Sequence, residues 1–169
     1  MMPWGRGALV LGLAIWTLLF ARTPLSPVAM ESFLHLPDLV FHEAGHILFS
    51  PFGQFMTVLG GSLTQVAIPI IAGAAFLRQE QPFNVAIMAW WAGQNLVDLA
   101  PYIADARSLS LVLLGGRTGA EVEGHDWEFI LTTLGVTHLD RGIGTATHAI
   151  GILIMAGALI YAGRTINSE

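Results

Sequence analysis

Residues 36–52 read LPDLVFHEAGHILFSPF, an apolar stretch interrupted by His42, Glu43 and His46. Pro37 stands where a first helical turn accepts a residue without an N–H, and Ser50-Pro51 marks a stop, so the stretch predicts one helix. Side chains four apart on a helix lie above one another on the same face. His42 and His46 therefore offer two imidazole nitrogens to one cation, and an H-E-x-x-H pair of this kind ordinarily holds zinc. Glu43 follows the first imidazole by one residue, which sets its carboxylate beside the cation. From there it can take a proton from a zinc-held water and later pass it to a leaving amine. A charge at the centre of a membrane helix costs roughly 2.5–3.5 kcal/mol, so this set points to function rather than packing.

The rest of the chain supplies the apolar setting. It has 169 residues, 54% apolar and only 11% charged, with a mean hydropathy of +0.65. An average soluble domain carries roughly 25% charged residues, so too little charge is present to cover a water-facing surface. A soluble enzyme and a disordered chain are excluded. The net charge is -5, and the seven basic residues, all arginines, form no patch that could track a phosphate backbone, so no nucleic-acid partner is expected. Cysteine is absent, which removes disulfides, thiolate metal sites and a cysteine nucleophile. What remains is an all-α integral membrane protein, a single polytopic domain with about five membrane-embedded helices. The expected segments are 7–21, 36–52, 56–77, 83–103 and 143–162. Arg6 and Arg22 flank the first, and ARTPLSPVAM lacks a small-x-small cleavage signal, so the segment is read as a retained anchor. Residues 104–142 are the one long polar stretch, read as an extramembrane loop with an interfacial helix beginning near Asp126. Trp90 and Trp91 lie inside a segment rather than at its end, where belt anchors would sit.

The F-H-E-A-G-H helix has further company. A glycine-rich entry to the next segment follows (Leu59-Gly60-Gly61-Ser62), and a later segment bears Asn95 and Asp98. Over residues 37–107 this arrangement resembles the site-2 protease family, intramembrane zinc metalloproteases. The resemblance implies a zinc-dependent endopeptidase that cuts membrane proteins or membrane-associated peptides within or near the bilayer of a bacterial-type cytoplasmic membrane. His42 and His46 carry over as zinc ligands and Glu43 as general acid/base. The family's third ligand is an Asp on a later span in a Leu-Asp-Gly pattern. That pattern is missing here, and Ala104-Asp105-Ala106 stands nearest to it.

A catalytic zinc ordinarily has three protein ligands and one open position. If residues 36 and 83 start near one membrane face, a rise of 1.5 Å per residue puts His46 about 15 Å deep, Asp98 about 22 Å and Asp105 about 33 Å. Depth therefore favours Asp98 as third ligand, with Asp105, His148 and His125 as alternatives. Asp105 has a competing role as a boundary charge paired with Arg107 or Arg141. His125 and Asp126 could instead cap a helix that starts there. His35 and His138 are expected in loops, facing solvent. Asn95 is a candidate to steady the substrate backbone or oxyanion, whereas Gln65 is read as an interhelical hydrogen bond and Gly60 and Gly61 as points of close helix approach. The rival to a peptidase is a membrane protein of the same fold that binds metal or a client without hydrolysis.

Overall fold

The structure is a computed structural model and describes residues 3–167. Six α-helices follow in order: α1 (Pro3–Ala21), α2 (His35–Phe49), α3 (Gln54–Arg78), α4 (Pro82–Ala104), α5 (Asp126–Thr133) and α6 (Asp140–Thr165). The described residues contain no strand, only a single antiparallel bridge between Val112 and Thr118. Each of the five apolar segments becomes a helix, and the polar stretch contributes α5. Short 3-10 turns at Ser50–Phe52 and Thr137–Leu139 lead into α3 and α6. Between α2 and α3 the chain reverses at Gly53, whose φ of +90° suits a residue without Cβ.

The central element is α4, packed against α6, α3 and α5. Thirteen of its 23 residues are buried, so protein rather than lipid covers it. The α4–α6 seam is made by glycines. A Cβ on Gly93 would meet the Gly151 carbonyl oxygen at 2.7 Å, and one on Gly151 would meet the Gly93 oxygen at 2.6 Å. Small residues allow such backbone approach, which is how helices gain contact where no hydrophobic difference drives them together. Trp90 and Trp91 face inward: Trp90 Nε1 donates to Thr17 Oγ1 of α1 at 2.9 Å, and Trp91 Nε1 donates to Asp38 Oδ1 of α2 at 2.8 Å. Those two bonds fasten α1 and α2 to the centre.

Three helical stretches are long and apolar enough to cross a membrane: Trp4–Ala21, Gln54–Arg78 and Thr137–Thr165. Five spans are not found. With 15 residues, α2 reaches only about 22 Å against a hydrocarbon core of about 30 Å. Asn84, Gln94, Asn95 and Asp98 interrupt the apolar character of α4. Arg6 lies 4.9 Å over the Phe83 ring, and its Nη1 donates to the Ile166 carbonyl at 3.1 Å. The start of α1 and the end of α6 thus share one end of the bundle.

The glycine seam makes a signed prediction. Gly151→Ala should destabilise the protein by about 1–3 kcal/mol through overpacking, although alanine favours a helix by about 1 kcal/mol. Gly157, on the same helix, has open space around its Cβ position, so Gly157→Ala should be neutral or stabilising. Thermal unfolding in detergent compares the two, and equal midpoints would show that the seam is not close-packed.

Candidate metal centre

The helical spacing of α2 does what the motif requires. His42 and His46 meet edge to face at a ring-centroid distance of 4.9 Å, with their planes at 75°. Both Nε2 atoms approach one carboxylate oxygen, Asp126 Oδ2, at 2.8 Å and 3.3 Å. One ligand atom from each of these three residues lies within 4.8 Å of the other two. Among the described residues, no other group of three or more His, Cys, Asp or Glu side chains could hold a metal ion.

The opposite face of each ring shows which atoms are available. His42 Nδ1–H donates to Gln65 Oε1 at 3.0 Å, and His46 Nδ1–H donates to the Thr57 carbonyl at 2.9 Å. An Nε2–H donates to Asp126 Oδ2; with the proton of a neutral imidazole held at Nδ1 instead, each Nε2 presents a lone pair to a cation beside Asp126. Two nitrogen lone pairs and a carboxylate oxygen then converge, which is favourable when a cation lies between them. A His-His-carboxylate set with outer hydrogen bonds on Nδ1 is the donor chemistry of a catalytic zinc. Space agrees. A Cβ on Gly61 would come within 2.7 Å of both Nε2 atoms, so the wall facing the imidazoles must be glycine. Gly60 serves close approach alone, against Phe49 and the Gly45 backbone.

Asp126 comes from the polar stretch and is held there by several contacts. His125 is the N-cap of α5, its Nδ1 accepting from the Glu128 N–H at 3.1 Å. The Asp126 N–H donates to Tyr102 Oη at 2.9 Å, and the Tyr102 ring packs 4.3 Å from that of His125. Burial pushes the Asp126 carboxyl upward, but hydrogen bonds from His42 and His46 outweigh it and hold the group below the usual carboxylate range. The incoming loop is tied by Asp105, which accepts from Ser108 Oγ, from Ser110 N and Oγ, and from Leu111 N at 2.6–3.0 Å. Burial raises the Asp105 carboxyl, and those donors together bring it below its ordinary value.

In front of the centre lies a cavity of about 640 Å³ whose wall includes Glu43, His35, Tyr102 and the apolar side chains of Leu39, Leu113 and Leu114. Glu43 is exposed to this space and shares its wall with all three members of the triad.

The other residues singled out by sequence fall elsewhere. Asp98 is not the third member of the group. Its carboxylate, 3% exposed, accepts from His35 Nδ1–H at 3.0 Å and from Gln65 Nε2 at 3.0 Å. The depth argument failed because α2 does not start level with α4: His35, its first residue, already stands beside Asp98, and His42 lies opposite Tyr102. For the same reason His35 is a half-buried partner of a carboxylate rather than a loop residue facing solvent. Asp105 binds its own loop, while Arg107 pairs with Asp140 at 2.7 Å. His125 caps α5, His148 sits apart in α6, and His138 is exposed in a 3-10 turn. Asn95 is fully buried, its Nδ2 donating to the Trp91 carbonyl within its own helix, and it is not part of the cavity wall. Asp126 was readable only as a helix cap. The signal that could have found it is an acid at a helix start, next to a histidine, within an otherwise irregular loop. No family model, curated protein or solved structure matches this chain.

The assignment of Asp126 is open to a direct count of metal. Purified protein incubated with excess zinc should retain about one ion per chain, and Asp126→Ala and His46→Ala should retain almost none. Asp98→Asn should keep the ion at saturating zinc. Loss of zinc from the Asp98 variant with retention in the Asp126 variant would reverse the two roles.

Proposed function

We propose that the protein is a multi-pass membrane zinc peptidase of the site-2 protease kind, acting on extended, apolar segments of membrane or membrane-associated polypeptides. The observation that carries the reading is the convergence of His42, His46 and Asp126 in the wall of a cavity that Glu43 shares. The resemblance of residues 37–107 to that family supports it, as do three helices long and apolar enough to cross a bilayer.

Zinc in this position would supply Lewis acidity, polarising a carbonyl and bringing the pKa of water toward 7. The chain's own groups do the rest. Gln65 and the Thr57 carbonyl keep both imidazoles turned with Nε2 inward. Glu43 receives a proton from the attacking water and delivers it to the departing amine, so that a neutral amine leaves as the C–N bond breaks. The cavity admits water to a depth where irregular backbone is tolerated because protein surrounds it. Substrate carbonyls locked in a helix would be hidden in their own hydrogen bonds, so an unwound segment is the form that fits. The apolar flank of Leu39, Leu113 and Leu114 suits the side chains of such a segment.

Glu43→Gln separates chemistry from binding. The variant should keep its zinc and its fold while cleavage of a membrane-embedded model substrate falls by about 10²–10⁴-fold. Full activity in the variant would overturn the acid–base role. A wild-type protein that binds zinc but cuts none of a panel of unwound apolar substrates would favour the non-hydrolytic binder instead.

A further inference from the structure

Behind the three cation-facing atoms runs a second row of polar side chains, of which the peptidase reading uses Gln65 but neither Asp98 nor His35. Gln65 of α3 sits between α2 and α4. Its Oε1 accepts from His42 Nδ1–H at 3.0 Å, its Nε2 donates to Asp98 Oδ2 at 3.0 Å, and His35 Nδ1–H donates to both oxygens of Asp98 at 3.0 Å. Gln65 and Asp98 are almost wholly buried, with 2% and 3% exposure.

An amide has one donating and one accepting end of nearly equal size, so packing alone does not decide which way it points. A carboxylate only accepts. With Asp98 on one side, a reversed Gln65 amide would set two acceptors against each other in a buried site, a costly arrangement. Gln65 must therefore turn its oxygen toward His42. That oxygen in turn requires a proton on His42 Nδ1, which leaves Nε2 as the coordinating atom. His46 receives the same instruction from the Thr57 backbone carbonyl, which no side-chain change can remove. His42 alone depends on side chains.

We propose that Gln65 and Asp98 are positioning residues that hold His42 in its Nε2-coordinating tautomer and so set the affinity of the centre for its cation. The proposal rests on the zinc reading above. It gives Asp98 a role one hydrogen-bond layer away from the one its sequence suggests. Loss of such outer partners ordinarily weakens metal binding by about 10–100-fold.

The test is a zinc titration of the full-length protein against a competing chelator, with cobalt(II) absorption reporting the ligand geometry. Gln65→Leu should bind zinc about 10–100-fold more weakly than wild type, with an altered cobalt spectrum. In a double variant, Gln65→Glu with Asp98→Asn, the polarity is exchanged. The carboxylate introduced at 65 accepts from His42 and from the amide introduced at 98. Its affinity should return to within about threefold of wild type, with the cobalt spectrum restored, because the two sites act as a coupled pair. A Gln65→Leu protein that binds as tightly as wild type would overturn the proposal, as would a double variant as weak as Gln65→Leu. Either result leaves the zinc centre standing, provided the wild type binds. A wild type that takes up no zinc overturns the centre and the proposal together.

Discussion

Electron pairs that converge inside an apolar bundle repel unless a positive charge lies among them. His42 Nε2, His46 Nε2 and Asp126 Oδ2 converge in this way, and much of the surrounding structure serves to keep them there. Helix spacing aligns the two imidazoles, and outer hydrogen bonds turn both rings. Glycine at position 61 clears the space in front of them, while α5 delivers the carboxylate. Each contribution comes from a different element, so the centre is a property of the assembled bundle.

Close helix approach is the condition that makes the rest geometrically available. At the α2–α3 contact, a Cβ on Gly45 would overlap the Gly60 carbonyl oxygen. That proximity lets Gln65 and Thr57 of α3 reach the rings of α2. The α4–α6 seam uses the same device at Gly93 and Gly151. By this packing α4 keeps Asp98 and Tyr102 at the level of the centre. The same glycines that permit tight packing therefore also determine which polar groups meet.

Burying so many polar groups would be unfavourable if they were scattered. Here they are connected: His35 to Asp98, Asp98 to Gln65, Gln65 to His42, and His42 to Asp126. A satisfied row of this kind rigidifies its members, whereas a broken one leaves groups unpaired in a medium of low dielectric. That is a reason for α2 to be short. Its first turn must stand beside Asp98 and its last must reach Thr57, and 15 residues cover that distance.

By itself the sequence determined what is local and periodic. Five apolar runs are long enough to be helices, and the four-residue spacing of His42 and His46 puts both rings on one face whatever the fold. Glu43 follows from that spacing, and Gln65 was correctly read as a bond between helices. Only the tertiary structure decided the third member of the centre and the role of Asp98. Both depend on the axial offset of α2 against α4 and on a loop folding back over the site, and no residue pattern along the chain encodes either quantity. Asp126 lies 84 positions beyond His42 and is brought to it by the sum of many weak packing contacts; its chemistry is visible in the sequence, but its neighbours are set by the fold.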